Sequence, residues 1–198
     1  MDYKKLLLVA VLIFGCSNSL PRFGTGGRYE EGRDQFLRGR GGDMDKAIVA
    51  FEAVVKVDPT YKDSLTYLGR AYYRKQRYQD AFAILQRALA VNPDNEIAWI
   101  SLGMTQLQLG QNEKGIETLK SGITLASKVM VEGYHNYEKW DIRRTIQASI
   151  RRSAFLLISD PQGKEKILQS LSQLLAQVDD EENAQKNYHV QNVAPLYR

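Results

Sequence analysis

The chain is short of the side chains from which reactive sites are built. Among 198 residues there is one cysteine, Cys16, and there are two histidines, His135 and His189. A lone cysteine closes no intramolecular disulfide, so the fold has no covalent staple. The histidines stand in unrelated contexts, without the H-E-x-x-H spacing that sets two imidazoles on one helical face around zinc. His135, within Tyr134-His135-Asn136-Tyr137, reads as part of an exposed helix end. Gly24-Thr25-Gly26-Gly27 lacks the Lys-Ser/Thr that follows a phosphate-cradling loop. Charge of one sign is not in excess either. Lys and Arg number 27 against 23 Asp and Glu, a net charge of +4 without the clustered basic footprint of a nucleic-acid binder. No convincing alternation of apolar and polar residues marks a strand. The expectation is a protein that is not an enzyme, with no cofactor, no metal, no small-molecule substrate and no nucleic-acid partner.

Long hydrophobic runs are missing as well. The longest, Leu6 to Phe14, is far shorter than the roughly 20 residues of a membrane-spanning helix. Lys4 and Lys5 precede it, and small residues follow. A charged start, a short apolar core and a small-residue end mark residues 1–15 as a signal peptide. Ile13-Phe14-Gly15-Cys16 resembles the lipobox of bacterial lipoproteins, with Phe14 bulkier than usual for its slot. The resemblance implies a diacylglycerol on Cys16, cleavage before it, and usually acylation of the new amine. Lipidation would explain an odd cysteine in an oxidising compartment, and two or three acyl chains anchor stably where one does not. Ser17 in place of aspartate favours, by the same resemblance, the periplasmic side of the outer membrane, or the cell membrane in a host without one. Removing residues 1–15 takes away Lys4, Lys5 and Asp2, which lowers the net charge from +4 to +3.

Residues 16–27 carry Gly, Ser and Pro without periodicity and read as a tether that would reach on the order of 20 Å. Beyond them the chain is helical in pattern, and a period of 34 runs through it. Ala47, Ala81 and Gly115 are spaced by it; so are Phe51, Leu85 and Leu119. Pro59 pairs with Pro93, Leu68 with Leu102, and Gly69 with Gly103. A fixed period of this length means stacked supersecondary units.

The residues fall in the order W-x2-L-G-x2-Y, A-x3-F, P, which resembles the tetratricopeptide repeat (TPR). One unit shows Leu65-x2-Leu68-Gly69-x2-Tyr72, Ala81-x3-Leu85, Ala88 and Pro93; the next shows Trp99-x2-Leu102-Gly103, then Gly115-x3-Leu119. An earlier unit is clear only from Ala47-x3-Phe51 to Pro59, and Arg40-Gly41 read as extra residues in its turn. The expected fold is an all-α, TPR-like α-solenoid of antiparallel helix hairpins. Three repeats span 28–128 (28–61, 62–95, 96–128). Large residues, Leu65, Leu68, Tyr72, Trp99 and Leu102, are expected in the seams, and small ones where helices cross. A degenerate capping hairpin spans 129–187, with a tail at 188–198. In the cap, Ile142, Ile146, Ile150, Ala154 and Ile158 form one helical stripe, and Leu168, Leu171, Leu175 and Val178 another. A short dimerising coiled coil is the alternative for this region.

The resemblance implies a concave groove lined by the first helix of each hairpin. Its residues are Asp63, Thr66, Arg70, Tyr73 and Arg74 from the second repeat, and Ile97, Ile100, Met104 and Leu107 from the third. The Lys/Asn set with which some relatives clamp a carboxylate terminus is absent. An apolar face beside Arg70 and Arg74 either receives a partner or is covered by the chain's own capping helices or tail. Arg143, Arg144, Arg151 and Arg152 either touch lipid headgroups or an acidic partner, or form a solvated face paired with Asp141 or with Asp179-Asp180-Glu181-Glu182. The function implied is a membrane-anchored periplasmic adaptor or scaffold that binds envelope proteins or peptide segments. The alternative is a self-associating structural subunit of an envelope complex.

Overall fold

The computed structural model describes residues 24–132 and 140–193. Among the described residues there are eight α-helices and no strand. They are α1 (Gly24–Leu37), α2 (Met44–Val57), α3 (Ser64–Arg74), α4 (Tyr78–Val91), α5 (Glu96–Gln108), α6 (Asn112–Glu132), α7 (Thr145–Ser159) and α8 (Lys164–Val193). Each packs on the next in order, so the helices pair as hairpins and the hairpins stack. None of these helices is both long and apolar enough to cross a membrane.

The 34-residue period has a steric origin. A Cβ built on Gly69 would lie 2.6 Å from Leu85 Cγ, and one on Gly103 would lie 2.6 Å from Leu119 Cγ. Both leucines are fully buried. Glycine therefore lets the two helices of a hairpin close until the leucine of the second seats on the backbone of the first. Gly32 plays the same part against the Phe51 ring. Nineteen residues separate Gly32 from Phe51, whereas sixteen separate Gly69 from Leu85 and Gly103 from Leu119. The three-residue 3-10 turn Gly39–Gly41 takes up the difference. The extra residues around Arg40-Gly41 are thus an insertion between α1 and α2 that hides the first repeat from a fixed-period reading.

Helix ends follow capping chemistry. Asp43 accepts hydrogen bonds from the amides of Asp45 and Lys46, and Asn95 accepts one from Ala98, which satisfies donors that a first turn leaves open. Asp141 does this from outside α7, accepting from the amides of Ile146 and Gln147 at 3.1 and 2.9 Å. Between α3 and α4, Gln76 adopts φ 60°, and Gly110, one period later, adopts φ 78°.

Several details differ from the sequence reading. α1 begins at Gly24, inside the segment read as tether, and α8 runs to Val193, inside the segment read as tail. At the start of α1, Gly26 lies close to the Tyr61 hydroxyl, a contact that composition alone does not reveal. Trp99 is half-buried at the edge of the seam, where its Nε1–H donates to the Pro93 carbonyl at 2.8 Å. The core stripe of α7 is Ile146, Ile150, Ser153 and Leu157, while Ile142 and Ile158 are exposed. Steps of four residues overshoot a 3.6-residue turn, so a strict i, i+4 series drifts off the buried face within three steps.

Candidate functional site

The concave side is built from α1, α3 and α5, and α8 lies in it. Ile100, Met104 and Leu107 of α5 are buried in one cluster with Leu171, Leu174, Leu175 and Val178 of α8. Ile97 and Thr66 are buried as well, Tyr73 is half-buried, and Asp63 is exposed at the start of α3. The face expected to receive a partner is therefore covered by the chain's own capping helix. The apolar stripe of α8 needs burial, and the α5 face offers the matching surface.

Beyond Val178 the contacts turn polar. Asp179, 6% exposed, meets Arg70 Nη2 at 2.7 Å and also pairs with Arg74. Both guanidiniums lie over the Phe36 ring, at 4.9 and 3.9 Å from its centroid to the Cζ of Arg70 and Arg74 respectively. Arg74 also donates to the Phe36 carbonyl at 3.1 Å. One turn further along α8, Glu182 accepts a short hydrogen bond from the Tyr67 hydroxyl. Another turn on, Lys186 pairs with Asp34 and, at 3.2 Å, with Glu30 of α1. The positions 179, 182 and 186 share one helix face, so α8 presents an acid, an acid and a cation to complementary charges along the channel.

Burial shapes these groups. Desolvation holds the Glu182 carboxyl above the ordinary glutamate range, although the Tyr67 hydrogen bond and Arg70 pull it back. The Tyr67 phenol is raised well above its ordinary value, first by burial and then by the Glu182 charge. Desolvation and the neighbouring Arg70 lower the Arg74 guanidinium.

Openings remain beside α8. A cavity of about 340 Å³ is lined by Tyr29, Arg33, Asp63, Thr66, Arg70 and Glu182, among others. A smaller one of about 170 Å³ lies among Tyr73, Arg74, Ser101, Met104 and Leu175. At the rim of the larger one, Asn95 Nδ2 bridges Asp63 and Thr66, at 3.1 Å to each.

All nine groove residues read from the sequence thus lie on or around one channel. The reading missed the residues that fill it, Asp179, Glu182 and Lys186, and the α1 and α3 residues Phe36, Asp34 and Tyr67. The acidic run 179–182 was the available signal, paired with the wrong cations. Asp179 binds Arg70 and Arg74, and none of Arg143, Arg144, Arg151 and Arg152 has an acidic partner among the described residues. Cys16 and His135 lie outside the described residues. Among those described, no group of three or more His, Cys, Asp or Glu is placed to hold a metal ion.

A stack of glycine-seated hairpins around a helix-filled channel defines an α-solenoid of the repeat class. Two tetratricopeptide-repeat family models match it, over residues 37–96 and 73–124. Residues 37–124 of the chain are thus built of tetratricopeptide repeats. Similar curated proteins include the peroxisomal targeting signal receptor of Komagataella phaffii, 30% identical over 83 residues, covering 42% of this chain and 14% of that protein. Superkiller protein 3 of Schizosaccharomyces pombe is 29% identical over 86 residues, covering 43% of this chain and 6% of that one. The DnaJ homolog subfamily C member 7 homolog of the same yeast is 26% identical over 145 residues, covering 60% and 30%. The chain thus spans less than a third of each of these relatives. Among solved structures, the crystal structure of MamA aligns over 93% of this chain and 87% of that one, at 22% identity and TM-score 0.51. That likeness is one of fold. A protein-binding scaffold is the function these similarities support.

Proposed function

We propose that this protein is a membrane-tethered adaptor of the bacterial cell envelope, which holds a helical segment of a partner protein in its concave channel. The observation that carries the reading is that the channel already holds a helix. α8 is seated by an apolar seam on α5 and by charges matched at 179, 182 and 186. A channel with this lining accepts a helix that offers an apolar stripe followed by two acids and a cation. In the resting chain that helix is α8, and a partner segment of the same pattern competes for the place. Asp179, Glu182 and Lys186 of α8 are engaged with Arg70, Tyr67 and Glu30 of the channel wall, which supports a role in holding a helix. The tether rests on Cys16 and the lipobox-like residues before it. Seating α8 within its own chain removes the apolar stripe that a dimerising coiled coil would use, which favours the adaptor over the self-associating subunit.

A labelled peptide of residues 164–193 is the probe. It should bind the full chain carrying Asp179→Asn more tightly than the wild type, because release of residues 179–193 of the resident helix frees the Arg70 and Arg74 end of the channel for the peptide's own Asp179. Absence of binding to either chain would refute the channel reading. For the tether, mass spectrometry of the chain made in a Gram-negative host should show acyl groups on Cys16. Cys16→Ser should move the protein out of the membrane fraction. An unmodified cysteine would sink that part.

A further inference from the structure

The outer face of α7 brings exposed apolar and cationic groups together. Among the described residues six large hydrophobics are conspicuously exposed; two of them, Phe155 at 67% and Ile158 at 77%, fall here, and a third, Ile142 at 72%, stands in the turn ahead of the helix. At 3.6 residues per turn, Ala148, Arg151, Arg152, Phe155, Ile158 and Ser159 share one side of α7. Ile146, Ile150, Ser153 and Leu157 occupy the opposite side and are buried. Arg143 and Arg144 stand in the turn just ahead of the helix and are exposed too. No acidic residue occurs between Asp141 and Asp160. Asp141 is itself buried and spent on the α7 amides, and Asp160 is held by Lys166 at 2.9 Å. Arg151 meets only the Gln147 side-chain oxygen, at 3.2 Å. Among the described residues, four arginines thus face solvent without a counter-charge, next to a phenylalanine and an isoleucine that gain nothing from water.

We propose that this face of α7 is a membrane-contact surface that lies flat on anionic lipid headgroups. An interfacial helix needs a cationic edge for the headgroups and aromatic or aliphatic tips that enter the boundary with the acyl chains. Arg151 and Arg152 supply the edge, with Arg143 and Arg144 exposed at the helix start; Phe155 and Ile158 supply the tips. The charge complementarity selects the occupant. A protein patch would need a cluster of carboxylates matched to four arginines, whereas an anionic leaflet presents negative charge wherever the face lands. Together with a lipid anchor, such contact would fix which side of the solenoid faces the bilayer. The surface proposal stands independently of the anchor.

The test uses the full chain with Cys16→Ser, so that no acyl chain contributes, and with Ser159→Cys as the sole thiol, carrying an environment-sensitive dye. The probes are vesicles of phosphatidylcholine with and without phosphatidylglycerol. The dye should shift to the blue only with the anionic vesicles, and salt should reverse the shift. Each cation at an anionic surface strengthens binding roughly five-fold, so Arg151→Glu with Arg152→Glu should weaken it about 25-fold or more. Phe155→Ser with Ile158→Ser should abolish the blue shift. Both pairs are solvent-exposed, so circular dichroism should be unchanged. Equal response to both vesicle types, or equal affinity of the charge-reversed chain, would overturn the proposal. So would a concentration-dependent shift without vesicles, which would assign the face to a second copy of the chain.

Discussion

Replacing Asp179 with asparagine should release the distal half of α8 and leave the proximal half in place. The carboxylate is nearly buried between Arg70, whose side chain is 5% exposed, and Arg74, at 33%. Removing one partner of a buried ion pair costs about 3–5 kcal/mol, because the remaining charge loses its compensation without regaining water. The lower end applies, since Arg74 reaches solvent and the Glu182 charge still acts on Arg70. A loss of about 3 kcal/mol raises the undocked population roughly 100-fold. The apolar seam sets where undocking stops. Leu171, Leu174 and Val178 are buried and contribute about 1.5–3 kcal/mol each, more than the substitution removes. Amide hydrogen exchange read by mass spectrometry should therefore accelerate across residues 179–193 and stay slow across 164–178. The triple change Arg70→Met, Arg74→Met, Asp179→Leu is the counterpart. It removes the charges together, and apolar replacement of a whole buried ionic group is often neutral or stabilising. Unchanged exchange at 179–193 in Asp179→Asn would refute the view that this ion pair holds the helix, as would equal acceleration in both segments.

Gly69→Ala should destabilise the fold by about 1–2 kcal/mol, since overpacking against Leu85 outweighs the better helix propensity of alanine; denaturant unfolding measures it. Gln76→Gly should stabilise by about 1 kcal/mol by relieving a left-handed residue at φ 60°, seen as a higher midpoint with unchanged slope. The raised Glu182 carboxyl gives a pH dependence of definite sign. The folded chain keeps a proton that the unfolded chain releases, so stability from this group is full at acidic pH. It declines as pH rises from the ordinary glutamate value through the raised one. Thermal melts across that window should show the decline, and Glu182→Gln, which keeps an acceptor for Tyr67, should flatten it.

The repeat was legible because its cause is local. Gly69 with Leu85 and Gly103 with Leu119 meet within one hairpin, sixteen residues apart, so the constraint recurs at a fixed interval. The first repeat was half-hidden because three inserted residues shift Gly32 out of register without altering its contact with Phe51. The stripe of α7 was misread because a four-residue step overshoots the helical turn. For the groove, the resemblance named residues at the start of and along α3 and α5 but left open whether that face was free or covered.

The chain by itself determined the class of fold and the recurrence of its hairpins. Those properties depend on contacts between residues near in sequence, which leave a periodic trace. Only the tertiary structure decided that α8 fills the channel and that Asp179 belongs to Arg70 and Arg74. These partners are 109 and 105 residues apart. Any arginine could have met that carboxylate as far as charge is concerned; packing of the apolar seam chose which one did.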